Sequence, residues 1–181
     1  MTHGSLFSGI GGFDLAAEWA GFTNVFNCEN EPFCKQILKY YFLKAIQYDD
    51  IKTTDFTAHR GTIDVVSGGF PCQPFSQAGK RKGTEDDRWL WDEMLRAIRE
   101  ISPRWVIAEN VYGIITQKRG VVFEQVQADL ENAGYEVQSF VIPACAVDAP
   151  HRRDRVWFIA HSANAGIESV QQTRKNRICE I

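Results

Sequence analysis

The chain has 181 residues, of which 44% are hydrophobic and 24% are charged, and its formal net charge is −3. These values are typical of one globular domain with its own core, and they do not by themselves indicate a nucleic-acid-binding protein. The absence of an apolar run of about 18 residues excludes a membrane-spanning helix. The N-terminus lacks a signal-peptide layout, so we expect an intracellular protein. The five cysteines form no Cys-x-x-Cys pair, which predicts neither a metal site nor a disulfide framework.

The chain begins with a predicted strand, a glycine-rich turn and a helix. Residues 4–7 form a short apolar run, and residues 8–13 read Ser-Gly-Ile-Gly-Gly-Phe. The helix shows apolar residues at helical spacing, namely Phe13, Ala16, Ala17 and Ala20. Gly21 is suited to ending it. This arrangement is typical of the opening of a nucleotide-binding Rossmann unit.

The glycine turn indicates a cofactor that the protein backbone can approach closely. Asp14 stands where the NAD fingerprint has a small residue, which disfavours a dinucleotide. An adenosyl cofactor such as S-adenosylmethionine fits the turn, although ordinary turns also have this composition.

Glu29 ends a second predicted strand over residues 24–29. A carboxylate at this position can accept hydrogen bonds from both ribose hydroxyls of a cofactor. A solvated charge at the strand end is the alternative. The next helix is expected to face the sheet through Phe33, Ile37, Leu38 and Tyr41. A third short element then ends at residues 48–51.

Cys72 lies in a stiff loop after the apolar run 63–66, which predicts a buried strand of a parallel sheet. The loop reads Gly-Gly-Phe-Pro-Cys-Gln-Pro-Phe-Ser over residues 68–76. Its prolines fix φ and cannot donate backbone hydrogen bonds, so the strand cannot continue. Open α/β folds carry their chemistry at this edge, which makes Cys72 a candidate nucleophile. A small buried hydrophobic residue is the alternative.

Residues 77–87 are polar and are predicted to form a mobile loop. The loop contains Lys80-Arg81-Lys82, which is either a solvated charge run or a phosphate contact. A helix follows, with Leu90, Met94, Ile98 and Ile101 on one face, and Ser102-Pro103 ends it. Its tryptophans are predicted to be core residues.

Glu109 follows a further buried strand over residues 104–108, and an isolated glutamate there would cap the next helix. That helix has an apolar face that ends at Gly134, formed by Val122, Val126, Leu130 and Ala133. Residues 135–142 and 156–160 are predicted as the last two strands.

Two arginines, Arg153 and Arg155, precede the last predicted strand. Guanidinium groups are forks of donors suited to a base carbonyl or a phosphate. On an extended chain both side chains would point the same way. A salt-bridged sheet edge is the alternative. Residues 1–161 are predicted to form the catalytic domain, and residues 162–181 a polar tail.

Four motifs along the chain together resemble those of the DNA (cytosine-5) methyltransferase family. They cover about residues 5–160 and comprise Phe-Ser-Gly-Ile-Gly-Gly-Phe, Pro-Cys-Gln-Pro-Phe-Ser, Glu-Asn-Val and Arg-Asp-Arg. The resemblance implies an α/β fold of the Rossmann-like class I S-adenosylmethionine-dependent methyltransferase type. Its mostly parallel sheet would carry helices on both faces. The fold would be C-terminally incomplete, lacking the target-recognition domain.

The resemblance also implies a mechanism in which the target cytosine is flipped out of the duplex. Cys72 would add to C6 while Glu109 engages N3 and the exocyclic amine. C5 would then take the methyl group of S-adenosylmethionine, leaving S-adenosylhomocysteine. Arg155 would hold the cytosine O2, with Arg153 beside it.

Further residues receive binding roles only through this resemblance. Asp50 would bind the adenine amino group, and Ile51 would pack on the ring. The full set of cofactor-binding residues would be Phe7, Gly9, Ile10, Gly11, Gly12, Glu29, Asn30, Asp50, Ile51, Pro71 and Leu90. Double-stranded DNA would contact Gln73, Ser76, Lys80, Lys82 and Arg88.

The short chain leaves several alternatives open. It could be a gene fragment, a subunit of a split enzyme whose second chain supplies the recognition domain, or an inactive remnant acting as a binding module. The substrate could also be a tRNA cytosine, as in a small branch of the family. A bacterial restriction-modification role would make the protein cytoplasmic and nucleoid-associated.

Overall fold

A seven-stranded mixed sheet organises the protein, and the computed structural model describes residues 1–71 and 90–163. The strands lie in the order β3-β2-β1-β4-β5-β7-β6. The strand bounds are β1 Thr2–Leu6, β2 Thr23–Cys28, β3 Ile46–Tyr48, β4 Val65–Gly69, β5 Trp105–Val111, β6 Tyr135–Ile142 and β7 Arg155–Ser162. In this part of the chain, β7 runs antiparallel to the other six strands, which all run in one direction. The predicted α/β fold with a mostly parallel sheet is confirmed.

Among the residues that the structure describes, four α-helices cover the two faces of this sheet. They are α1 Gly12–Trp19, α2 Pro32–Tyr41, α3 Trp91–Ile101 and α4 Val121–Asn132. The connections through α1 and α2 move along the sheet in one direction, and those through α3 and α4 move in the other. Because such crossovers are right-handed, the two pairs lie on opposite faces. None of the helices within the described ranges is both long and apolar enough to cross a bilayer.

Ring contacts confirm the two layers. The ring of Phe123 in α4 lies 5.3 Å from that of Phe158 in β7, while Phe13 in α1 lies 5.8 Å from Trp157. Adjacent strand residues point to opposite faces, so α4 and α1 pack on opposite sides of β7. Trp91 is fully buried, which confirms it as a core residue.

The apolar faces predicted for the first two helices are partly wrong. In α1 the inward residues are Asp14 and Ala17, whereas Ala16 and Ala20 are exposed. In α2 only Leu38 is buried, while Phe33 and Tyr41 are 65% and 68% exposed. The second helix lies over the end of the sheet, where β3 has three residues and offers little surface to cover.

A chain of buried polar groups crosses three strands beneath α1. The His3 ring contacts Ser67 Oγ at 2.8 Å through Nε2, and Asn24 Oδ1 at 2.7 Å through Nδ1. Asn24 Nδ2 donates to the Asp14 carbonyl at 2.9 Å. Because buried polar groups are costly when they lack partners, this hydrogen-bond network fixes β4, β1, β2 and α1 relative to one another.

The Asp14 carboxylate continues the polar chain toward the glycine turn. It accepts a hydrogen bond from Ser5 Oγ at 2.8 Å, and Ser5 Oγ lies 2.6 Å from Ser8 Oγ. Ser8 in turn accepts from the Cys28 backbone N–H. Burial raises the pKa of Asp14 to about 6, against the opposing effect of the Ser5 hydrogen bond.

Replacement of Gly4 by alanine should destabilise the fold. A Cβ at this position would lie 2.2 Å from the Phe26 ring, which is itself fully buried. Overpacking of this kind typically costs about 1–3 kcal/mol. We expect a lower urea midpoint for Gly4→Ala. The control is Gly113→Ala, where an added Cβ meets nothing within 4 Å. Equal midpoints for the two variants would contradict this packing.

Replacement of Asp14 by asparagine should remove a pH dependence of stability. The folded-state pKa is raised, so the unfolded chain loses its proton first as pH rises from about 4 to about 6. The Asp14 contribution to the free energy of unfolding therefore falls over this interval, by up to about 3 kcal/mol. The Asp14 contribution to the fall in the free energy of unfolding between pH 4.5 and pH 7, measured by urea unfolding, should be present in the wild type and absent from Asp14→Asn. Exposed Asp148→Asn should behave as the wild type does.

Candidate active site

The candidate site lies at one edge of the sheet. Strands β1 to β5 are parallel, so their carboxyl ends meet at this edge, and the antiparallel β7 begins there. Crevices at such an edge bind ligands in open α/β folds. The predicted site residues within the described ranges lie in or after the carboxyl-terminal ends of these strands or at the start of β7, so the topology brings them to the same edge.

The glycine turn leaves β1 through left-handed backbone conformations. Phe7, Gly9 and Gly11 have φ values of 52°, 55° and 89°. A Cβ on Gly11 would lie 2.4 Å from the Phe42 ring, so this glycine is required by packing as well as by its φ. A Cβ on Gly9 would meet nothing within 4 Å, and Ile10 is 62% exposed. The outer part of the turn is therefore open to a ligand.

The Glu29 carboxylate is held by two backbone amides. Its Oε2 accepts from the Gly9 N–H at 2.8 Å, and its Oε1 accepts from the Glu31 N–H at 2.8 Å. Each carboxylate oxygen can accept a second hydrogen bond. The half-buried carboxylate thus faces the glycine turn with capacity left for hydroxyl donors, and exposed Asn30 follows it.

The segment after β3 forms a tight turn around Asp50. The Asp50 carbonyl accepts hydrogen bonds from the Thr54 N–H at 3.0 Å and the Thr54 hydroxyl at 2.7 Å. Its side chain accepts from the Lys52 N–H at 2.9 Å. Ile51 is 4% exposed. The turn therefore places a carboxylate and an apolar side chain next to each other beside β2.

Glu109 forms an ion pair with Arg155 on the neighbouring strand. Arg155 Nε lies 2.8 Å from Glu109 Oε1, and each side chain is 22% exposed. Burial raises the pKa of Glu109, while the charges of Arg155 and Arg153 oppose that rise. A Cβ on Gly69 would lie 3.2 Å from Glu109 Oε2, so glycine at 69 leaves room for this carboxyl.

The expectation that Arg153 and Arg155 share one side of an extended chain is wrong. Arg155 begins β7, but Arg153 has a φ of 43° and lies outside the strand. The left-handed conformation breaks the two-residue alternation on which that expectation depended. Arg153 is exposed, yet it is close enough to act on the pKa of Glu109.

The start of the cysteine loop is tied to the strand that carries Glu109. Asn110 is buried and donates through Nδ2 to the Phe70 carbonyl at 2.9 Å. The Phe70 ring lies 4.9 Å from the Trp91 ring. Pro71 and Leu90, both half-buried, are the described residues on either side of the intervening segment. Local sequence patterns assign Asn110 no role of its own, because its partner lies 40 residues away.

Several predicted features lie outside the described residues. These are the mobile loop 77–87, the polar tail from residue 164 onward, and the site residues Cys72, Gln73, Ser76, Lys80, Lys82 and Arg88. Their assigned roles remain predictions.

Curated relatives share this chain's sequence over most of its length. The Type II methyltransferase M.Eco47II of Escherichia coli is 37% identical over 158 residues, which are 86% of this chain and 38% of that protein. M.HhaI of Haemophilus parahaemolyticus is 30% identical over 92% of this chain and 50% of that protein. M.AquIA of Picosynechococcus sp. is 34% identical over 87% of this chain and 70% of that protein. The chain thus spans half or less of the first two relatives.

Solved structures share the fold. A DNA modification methyltransferase encoded in an Escherichia coli prophage superposes with a TM-score of 0.77 at 26% identity, covering 92% of this chain and 48% of that chain. The S. pombe Dnmt2 methyltransferase gives a TM-score of 0.73 at 23% identity, covering 90% of this chain and 51% of that chain. At this identity the similarity shows the fold alone. The class I methyltransferase fold is therefore confirmed.

The profile of the C-5 cytosine-specific DNA methylase family matches residues 1–179. This range includes all four motifs and the whole sheet edge described above. The chain belongs to the C-5 cytosine-specific DNA methylase family.

Proposed function

We propose that this chain is the catalytic part of an enzyme that methylates C5 of cytosine in double-stranded DNA, with S-adenosylmethionine as the methyl donor. The observation that carries the proposal is the Glu109–Arg155 pair. It lies at the strand ends from which the Cys72 loop begins, and Gly69 at the end of β4 pairs with Glu109. The family match supports DNA as the substrate.

S-adenosylmethionine fits the groups at this edge. Glu29 would accept hydrogen bonds from the ribose hydroxyls, Asp50 would accept from the adenine amino group, and Ile51 would pack on the ring. The open side of Gly9 leaves room for close backbone approach. When bound, the cofactor supplies an electrophilic methyl group. The other proposed contacts are Phe7, Ile10, Gly11, Gly12, Asn30, Pro71 and Leu90.

Glu109 would supply the proton that activates the flipped cytosine. Cytosine C6 is a poor electrophile until N3 is protonated or strongly hydrogen-bonded. The raised pKa of Glu109 retains a proton nearer to neutral pH than an exposed glutamate would. Among the described residues, Arg155 uses Nε for Glu109 and Nη1 for the Asp154 carbonyl at 3.0 Å. Within the described ranges its second terminal nitrogen has no recorded partner, so it could donate to the cytosine O2, with Arg153 nearby.

Cys72 would act as the nucleophile. Its thiolate would add to C6 as N3 receives the Glu109 proton, which would make C5 nucleophilic toward the methyl group that the cofactor supplies when bound. Loss of the C5 proton to a base, return of the N3 proton to Glu109 and expulsion of the Cys72 thiolate would then restore the aromatic ring. Phosphate contacts would come from Ser76, Lys80, Lys82 and Arg88, and Gln73 would also contact the DNA. Base-specific contacts would come from a further segment or a second chain.

The covalent step can be tested with duplex DNA that contains 5-fluorocytosine. Fluorine at C5 cannot leave as a proton does, so the adduct should persist in denaturing gels. We expect an adduct for the chain fused to the C-terminal part of M.Eco47II, and none for Cys72→Ser. Exposed Cys145→Ser is the matched control and should keep the adduct. Adduct formation by Cys72→Ser would show that another group is the nucleophile.

Replacement of Glu109 by glutamine should lower the rate of methyl transfer by about 10²- to 10⁴-fold, because the amide can hydrogen-bond to N3 but cannot donate a proton to it. Single-turnover transfer from labelled S-adenosylmethionine to duplex DNA measures the rate. Exposed Glu136→Gln should leave it unchanged. Transfer to tRNA with none to DNA would favour the RNA substrate. S-adenosylmethionine binding with no transfer to either would favour a binding module.

A further inference from the structure

We propose that Arg96, on the helix that follows the cysteine loop, is a positioning residue for adenine recognition. It lies on α3 and holds the turn that carries Asp50 and Ile51. This inference rests on the proposed cofactor role of that turn, and it adds a residue to which neither the motifs nor the comparisons give a function. It also links the cofactor turn to the helix that begins at Trp91.

The guanidinium of Arg96 bridges two carbonyls of the turn and two carboxylates of its own helix. Nη2 donates to the Ile51 carbonyl, and Nη1 donates to the Thr54 carbonyl at 3.2 Å. On the helix side, Nε lies 2.9 Å from Glu93 Oε2, and Nη1 lies 2.6 Å from Glu100 Oε1. All three guanidinium nitrogens therefore have defined partners, and the side chain is 34% exposed.

Glu100 also holds the C-terminal end of the turn. Its Oε2 accepts from the Phe56 N–H at 3.0 Å, while its Oε1 binds Arg96. Phe56 is fully buried, with its ring 5.5 Å from those of Phe26 and Tyr48. The turn is thus fixed at one end by aromatic packing and in its middle by Arg96.

This geometry is selective for arginine. A lysine ammonium is a compact charge that cannot reach both carbonyls and both carboxylates in a planar fork. A partly exposed ion pair alone contributes little to stability. Arg96 fixes the orientation of the Ile51 and Thr54 carbonyls. This orientation sets the positions of the neighbouring Asp50 carboxylate and Ile51 side chain.

A carboxylate held in one place distinguishes an amino group from a carbonyl. Asp50 would accept from the adenine amino group, but it would repel the carbonyl oxygen that replaces this group in hypoxanthine. Loss of a fixed position should reduce that discrimination more than it reduces overall affinity. The relevant quantity is therefore a ratio of two affinities, which global destabilisation does not change.

The test compares S-adenosylhomocysteine with S-inosylhomocysteine by calorimetric titration of the full chain. We expect the wild type to prefer the adenine ligand by about 100-fold or more, and Arg96→Lys to lose at least tenfold of this preference. Exposed Arg99→Lys on the same helix is the matched control and should keep it. Glu100→Gln, which weakens the hold on Arg96, should give an intermediate ratio. An unchanged ratio in Arg96→Lys would overturn the inference while leaving the proposed function intact.

Amide hydrogen exchange gives a second readout that needs no ligand. The N–H groups of Thr53 and Thr54 donate to the Asp50 carbonyl, and that of Phe56 donates to Glu100. Their exchange should accelerate at least tenfold in Arg96→Lys, with core amides unchanged. Unchanged exchange at these three amides would also overturn the inference. If the wild type binds neither ligand, the cofactor role of the turn fails, and this inference fails with it.

Discussion

Two pairing registers fix the geometry on which the candidate site depends. Gly69 of β4 pairs with Glu109 of β5, and Glu109 in turn pairs with Trp157 of β7. A slip of one residue in β5 would turn the carboxyl to the opposite face of the sheet. Arg155 lies two residues from Trp157 on the same side of β7, within reach of Glu109. Backbone pairing therefore holds the carboxyl and its cation in place, so their positions do not depend on a loop.

Much of this arrangement could be predicted from the sequence, because it follows from local patterns. Buried strands of a parallel sheet are short apolar runs, and the residue that follows each run lies at a shared edge. Glu29 and Glu109 were placed at that edge by this rule alone. The same rule placed the entry of the Cys72 loop beside them. The antiparallel direction of β7 depends on long-range pairing and had no local signal.

The features that the sequence did not predict depend on partners far away in the chain. Asp14 lies in the apolar face of α1 because Ser5 and Asn24 meet its polar groups, so helical spacing of apolar residues misplaced that face. In the sequence, Arg96 is one of several charged residues on an amphipathic helix. Its partner Ile51 precedes it by 45 residues, so no local pattern reveals the contact. Such polar pairings are set by tertiary packing, which periodicity does not report.

The hydrogen bonds of Glu29 have a thermodynamic consequence for whatever nucleoside binds beside it. A free glutamate side chain loses rotamer freedom, roughly 0.5–1.5 kcal/mol, when a ligand immobilises it. Here the amides of Gly9 and Glu31 have already restricted the carboxylate before any ligand arrives. The carboxylate therefore loses this entropy on folding rather than on ligand binding. The glycine turn would thus preorganise the carboxylate, and a larger share of each proposed ribose contact would be available as affinity.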